Sequence, residues 1–242
     1  MNRPDKPGEN RGPSTVAIFM DGNRRWARAR GLRAVSGHEA GKAVFMKFLD
    51  FYTDVRQRWG SRNYIFYAFS TENWNRPAEE VAAIMGVFTR AFDEFSSSLP
   101  HLLAAGIRIR FLGERTLFSP HLQTLMQNIE KDTERGASGT IALAVSYGGR
   151  ADIVQAVNHF LKEAPGKPFT EQDIGKMLWT ADIPEPDLII RPGGERRLSN
   201  FLTWQSVYSE LAFTDTLWPD FTQEELEHIF ADYALRDRRH GK

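Results

Sequence analysis

Four short apolar runs in this chain each break off into a cluster of arginine and acid with glycine or asparagine, and that recurrence restricts it to one broad architecture. Thr15-Val16-Ala17-Ile18-Phe19-Met20 stops at Asp21-Gly22-Asn23-Arg24-Arg25-Trp26, and Tyr64-Ile65-Phe66-Tyr67-Ala68-Phe69 stops at Ser70-Thr71-Glu72-Asn73-Trp74-Asn75-Arg76-Pro77. The run 140–146 stops at Tyr147-Gly148-Gly149-Arg150-Ala151-Asp152, and 187–190 at Arg191-Pro192-Gly193-Gly194-Glu195-Arg196-Arg197. Continuous apolar runs of this length, bounded by turn residues, read as strands buried on both faces. A further run, 107–113, alternates Ile and Arg and is expected to be a strand with one solvated face. Between the runs, apolar residues recur at helical spacing over 39–58, 78–95, 120–134, 152–163, 170–179 and 223–235. The pattern predicts an α/β fold: a single domain with a mostly parallel central sheet flanked by helices. Ligands of such sheets bind beyond the C-terminal strand ends, where all four polar clusters would meet.

Composition removes several classes of function. With no cysteine among 242 residues, disulfides, zinc–thiolate sites, iron–sulfur centres and thiol nucleophiles are excluded. The 31 basic and 31 acidic side chains balance, so no global field draws the chain to nucleic acid, and no nucleic-acid partner is expected. Its apolar runs fall well short of the ~20 residues that span a bilayer, and the polar N-terminus lacks the apolar core of a signal peptide. The chain is therefore expected to be cytoplasmic and not an integral membrane protein. Residues 1–14, rich in Pro, Gly and charge, are expected to be a disordered arm, leaving 15–242 as the catalytic domain.

The clusters suggest anion and metal chemistry. Asp21 beside Gly22 is, taken alone, a common turn aspartate. Among Asn23, Arg24 and Arg25 it equally suits a magnesium ion shared with a diphosphate. Arg28 and Arg30 read as a solvated helix face or as an extension of the positive surface. Arg33 and His38 lie in the segment from Gly31 to Gly41, which is expected to fold over the site. Ser70 and Asn73 have side chains short enough to hold a leaving group. Trp74 either caps an apolar pocket or packs in the core, and Arg76 can grip phosphate in bidentate fashion. Arg191, Arg196 and Arg197 around Gly193-Gly194, with Ser199 and Asn200 just beyond, fit a diphosphate nest, and Glu210 is a candidate second carboxylate for the metal. No Walker lysine, dinucleotide fingerprint or serine elbow accompanies these glycines.

These motifs, from Met20 to Ala27, Gly37 to Gly41, Tyr67 to Pro77, Tyr147 to Ile153 and Pro186 to Phe221, resemble those of the cis-prenyltransferases, the family of undecaprenyl diphosphate synthase. The resemblance implies a homodimer with an elongated hydrophobic tunnel, joining isopentenyl diphosphate to an allylic diphosphate (dimethylallyl, geranyl or farnesyl) with Mg2+ as cofactor. It implies Asp21 as catalytic magnesium ligand and Glu210 as second ligand, reaching across the dimer interface. His38 would handle phosphate or a proton, and Ser70 and Asn73 would act in a mobile catalytic loop. Substrate binding would fall to Gly22, Asn23, Arg24, Arg25, Trp26, Arg33, Phe69, Trp74, Arg76, Arg191, Arg197 and Ser199. Three departures stand out: Pro192 in place of a hydroxyl-bearing residue, a helix after His38 carrying Phe45, Phe48, Phe51 and Tyr52, and a lengthened stretch from Phe95 to Gly106. Aromatics on that helix's inner face would shorten the product. A short- or medium-chain Z-prenyl diphosphate is therefore expected, with lavandulyl-type coupling, cyclisation or long-chain undecaprenyl synthesis as alternatives.

Overall fold

The computed structural model describes residues 12–236, without the side chains of residues 96–99. Strands β1 (Thr15–Phe19), β2 (Asn63–Ser70), β3 (Ile107–Leu112), β4 (Gly139–Tyr147), β5 (Leu188–Arg191) and β6 (Glu210–Phe213) form one sheet in the order β3-β4-β2-β1-β5-β6. Every neighbouring pair runs parallel. The chain steps from β1 to β2 on one side and returns at β5 on the other side of β1. The crevice of this doubly wound sheet therefore opens at the end of β1. The short β6, read from sequence only as an apolar stretch, closes the far edge.

Seven helices connect and cover the strands: α1 (Asn23–Ala29), α2 (Ala34–Trp59), α3 (Ala78–Ala104), α4 (Pro120–Thr133), α5 (Gly149–Glu163), α6 (Glu171–Met177) and α7 (Gln223–Ala234). The two-residue period of a strand sends alternate side chains to opposite faces. Val16, Ile18, Tyr64 and Phe66 join a large core with Phe45, Phe48 and Tyr52 of α2 and with α3, α4 and α7. Ala17, Phe19, Ile65, Ala142 and Ala144 join a smaller one with Tyr147, Phe201 and Leu202.

Two sequence expectations change here. The segment from Gly31 to Gly41 borders the site mostly as helix: α2 begins at Ala34, with Arg33 as its extended N-cap residue, and Gly31, Leu32, Ala34, His38 and Gly41 line the cavity described below. Two of its glycines serve close packing: a Cβ at Gly37 would stand 2.0 Å from the Asn23 carbonyl oxygen, and one at Gly41 2.4 Å from Asn23 Oδ1. The second change concerns the arm. Of residues 1–14, the first eleven lie outside the described residues, but Pro13 is buried, its carbonyl accepts the Ser61 hydroxyl (2.5 Å), and Ser14 N–H donates to Asp187 (2.9 Å).

Candidate active site

A cavity of about 1220 Å³ opens at the C-terminal ends of β1, β2 and β5. Its mouth is polar and its depth apolar. Asp21 stands at the mouth where β1 ends; Gly22, left-handed at φ 97°, turns the chain into α1. Asp21 Oδ1 accepts the Gly22 N–H (2.7 Å), Oδ2 accepts Arg191 Nη2 (2.9 Å), and Arg25 Nη2 lies 3.9 Å away. The Arg191 side chain is only 5 % exposed, stacks over Phe19 at 4.5 Å and also donates to Ser199 Oγ (2.9 Å) and the Arg197 carbonyl. A guanidinium so buried requires anionic or carbonyl partners, and Asp21 is its carboxylate. Its Nε, with no partner, retains one free donor.

Across the mouth, Glu80 on α3 binds Arg76 (3.1 Å) and Arg24 (3.5 Å). Beside them His38 presents a buried Nε2 without a partner. Burial, reinforced by Arg76, pulls its pKa down from 6.5 to about 4. His38 is thus neutral near pH 7 and can meet a phosphate or move a proton only through hydrogen bonding. Ser70 precedes a 3₁₀ turn, Thr71–Asn75, and it and Asn73 inside the turn cap its start reciprocally: Ser70 N–H donates to Asn73 Oδ1 (3.1 Å) while the Ser70 side chain accepts the Asn73 N–H. That uses the Asn73 carbonyl and leaves its amide NH2 for the cavity.

The cavity thus gathers Asp21, Gly22, Asn23, Arg24, Arg25, His38, Phe69, Ser70, Asn73, Arg76, Arg191, Arg197 and Ser199 from four separate stretches of sequence. Four other candidates stand apart from its lining. Trp26 donates to Asp220 (2.7 Å) and stacks under Arg30, and Arg33 is exposed. Trp74 packs edge-on against Phe69 and Phe118 and donates to Ser146 Oγ (2.9 Å), so its core reading prevails. Glu210 lies on edge strand β6, bonded to Arg236 (2.7 Å). Among the lining residues to which sequence reasoning gave no role are Tyr67, whose hydroxyl reaches the Tyr147 and Ser199 carbonyls (3.3 and 3.4 Å), and Arg150, while Asn200 was placed only with the diphosphate nest. Arg150 and Asn200 stood inside motifs already noted, but only the fold aims them at the same space.

Deeper in, one face of α3 supplies Ile84, Val87, Phe88, Ala91, Phe92 and Phe95, opposite Phe45 and Leu143. At 1.5 Å per residue that wall extends ~17 Å. Phe48 and Tyr52 are buried against Tyr64 and Phe66 (Phe48 ring centroids at 4.7 and 4.9 Å) and do not line the cavity. The expected aromatic obstruction from α2 therefore reduces to Phe45. Among the described residues no group of three His, Asp or Glu side chains could hold a metal unaided. A lone carboxylate among arginines nevertheless suits magnesium, which commonly takes one or two carboxylates together with substrate phosphates. No described helix is long and apolar enough to cross a membrane.

Known proteins are similar to this chain in sequence and in fold. The family model described as putative undecaprenyl diphosphate synthase matches residues 19–241. An isoprenyl transferase of Aquifex aeolicus is 42 % identical, over 95 % of this chain and 96 % of its own. A ditrans,polycis-undecaprenyl-diphosphate synthase ((2E,6E)-farnesyl-diphosphate specific) of Pectobacterium atrosepticum is 41 % identical, over 95 % and 90 %. Among solved structures, lavandulyl diphosphate synthase from Lavandula x intermedia, in complex with dimethylallyl diphosphate, superposes with a TM-score of 0.86 at 31 % identity, covering 96 % of this chain and 99 % of that one. With sequence and fold agreeing over nearly its whole length, the chain belongs to the cis-prenyltransferases, the isoprenyl-transferring enzymes of the undecaprenyl diphosphate synthase type.

Proposed function

We propose that this enzyme adds isopentenyl diphosphate repeatedly to an allylic diphosphate such as farnesyl diphosphate and releases a long-chain Z-polyprenyl diphosphate. The observation that carries the reading is the size and polarity of the cavity: at about 1220 Å³ it exceeds the ~300–1,000 Å³ usual for small-ligand sites, with arginines at its mouth and an apolar wall behind. The removal of Phe48 and Tyr52 from that wall takes away most of the case for a short product. The farnesyl-specific undecaprenyl synthase among the relatives supports the same direction.

In this reading the allylic diphosphate lies against Arg24, Arg25 and Arg76 with its chain along α3, and the second diphosphate against Arg191, Arg197 and Ser199. Family membership implies magnesium, which would be held by Asp21 together with diphosphate oxygens and would stabilise the charge on the leaving group. The arginines do the same from the protein side as the allylic C–O bond ionises. The alkene of isopentenyl diphosphate attacks the resulting carbon, and one proton leaves toward a diphosphate oxygen or through Ser70 and Asn73. Neutral His38 hydrogen-bonds phosphate without competing for the metal. Leu211 and Phe213 are exposed on edge strand β6 beside Glu210. Homodimerisation through that edge would deliver Glu210 to a neighbouring site as second metal ligand, and sedimentation analysis tests it.

Labelled isopentenyl diphosphate, supplied with C5, C10 or C15 allylic diphosphates and magnesium, should give chains well beyond C20, best from the C15 primer. Products ending at C10–C15 would overturn the long-chain reading. A second reading, lavandulyl-type coupling of two allylic diphosphates, draws on Pro192. It is buried at the second diphosphate tract and offers no N–H, while Gly194 N–H is already bonded to Thr214 O (2.8 Å). A branched product from dimethylallyl diphosphate alone would favour it.

A further inference from the structure

Between the two halves of the mouth sits a residue to which neither half assigns a role. Asn200 has φ 64°, and Ser199 and Leu202 near it are also left-handed, at 44° and 48°. Three non-glycine residues in this region within four positions are held there only by surrounding bonds. Asn200 makes three of them, to two other segments. Its carbonyl accepts the Gly149 N–H (2.7 Å) and its Oδ1 accepts the Arg150 N–H (2.9 Å), fixing the start of α5. Its Nδ2 donates to Glu72 Oε1 (2.8 Å), in the turn that carries Asn73. Gly148 makes the junction possible, since a Cβ there would stand 2.7 Å from both Asn200 Nδ2 and Thr71 Oγ1.

The chemistry favours a specific link over loose packing. A neutral amide donating to a carboxylate makes a charge-assisted bond. Hydrogen bonds from Asn200, with others from the turn's own backbone and hydroxyls, hold the Glu72 carboxyl below the usual range. Asn200 follows Ser199, which shares Arg191 with Asp21. The Arg191–Ser199 tract is thereby joined to the Ser70–Asn75 turn by the Asn200 side chain.

We propose that Asn200 is a positioning residue whose bond to Glu72 couples the two diphosphate subsites, so that filling the Arg191–Ser199 side sets the turn against the allylic side. The proposal rests on the two-site reading given above. By linkage, breaking the bond weakens the mutual enhancement of the two ligands more than either ligand's own binding.

A reversal of donor and acceptor tests it. Asn200→Asp keeps the acceptor for Arg150 N–H and the tolerance for positive φ, but sets a carboxylate against Glu72. Glu72→Gln alone weakens the bond. In the double variant the new amide can donate back to the new carboxylate. Asn200→Asp should raise KM for isopentenyl diphosphate about 10-fold, the energy scale of one charge-assisted bond. Glu72→Gln should raise it about 3-fold, and the double variant should return to within about 3-fold of the native value. Thermal melting of all four proteins separates this from lost stability, since a merely structural role would move melting without the rescue. If Asn200→Asp does not fold, Asn200→Gly replaces it, and Glu72→Gln should then add nothing further. Independent, multiplicative losses, or unchanged KM in the single variants, would overturn the coupling. Absence of any incorporation by the native enzyme would instead overturn the underlying two-site reading.

Discussion

The two faces of the sheet are built from the same strands by alternation of side chains and share the mouth of the cavity, yet behind it one is hollow and the other closed. On the α2–α3 face Phe45, Phe88, Phe92 and Phe95 line a cavity, and beside it His38 Nε2 is buried without a partner. On the other face small residues, Ala17, Ala142 and Ala144, bring the covering segments close. There a fully buried carboxylate, Asp152, accepts from Tyr147 Oη (2.9 Å), Gln205 Nε2 (3.1 Å), Gln155 Nε2 (3.1 Å) and Trp179 N–H (2.8 Å). Burial raises its pKa, and these donors offset part of that rise. A buried polar group satisfied by protein serves the fold, whereas one left open beside a cavity is available to a ligand.

The sharpest way to break that distinction is at Asp21. Its oxygens are shared between Gly22 N–H and Arg191 at a solvent-accessible rim, so Asp21→Ala should lower incorporation of labelled isopentenyl diphosphate by about 10³-fold, the scale of lost transition-state charge stabilisation. Melting should fall as well, because the buried Arg191 guanidinium loses its carboxylate partner. A variant retaining a tenth of native turnover would remove Asp21 from the chemistry.

The next contrast sets two neighbours on α2 against each other. Phe48 is packed in the solid part of the core, and Phe48→Ala should cost about 3–5 kcal/mol in denaturant unfolding. Phe45 lines the existing cavity, so Phe45→Ala enlarges a void instead of creating one and should cost about 2 kcal/mol less while shifting product length upward. Equal costs with unchanged products would mean that Phe45 bounds nothing.

On the closed face, Asp152→Asn turns an acceptor of four bonds into a group with one acceptor oxygen and two donors. Two of the present donors then meet an NH2 group, at about 2–3 kcal/mol, or about 5–10 °C in melting for a chain of this size. A variant as stable as the native protein would show that Asp152 is not held for the fold.

How far the sequence reveals this division depends on what each part requires. Strand ends were legible because apolar runs and polar clusters alternate sharply: Asp21, Ser70, Tyr147 and Arg191 all fall where β1, β2, β4 and β5 end or break off. The shape of the Gly31–Gly41 segment was not legible. Glycine that permits mobility and glycine that permits contact are identical in sequence, and only the 2.0 Å approach to Asn23 decides between them. Which aromatics of α2 face the cavity was equally hidden, because Phe45, Phe48 and Tyr52 share one apolar stripe and differ only in depth along it. Asn200 was visible as a polar residue after Ser199, but its role depends on a left-handed backbone and on partners in two other segments.

The smallest effect concerns His38, where the hollow face carries its unpaired imidazole. With a pKa near 4 folded and 6.5 unfolded, the unfolded chain binds more protons between those values. His38 therefore contributes stability fully above pH 6.5, and that contribution is lost as pH falls toward 4; it amounts to at most ~3 kcal/mol. His38→Gln should flatten the pH dependence of unfolding across that window. Arg76 and Arg24 lower the pKa, whereas the carboxylate of Glu80 raises it. A diphosphate bound at the same arginines carries the same sign as Glu80 and must also raise it. Titration followed by NMR should therefore give a midpoint near 4 in the free enzyme and a higher one with inorganic diphosphate. A free-enzyme midpoint near 6.5 would mean that water reaches the imidazole, and the hollow face would then be solvated at its rim before any ligand arrives.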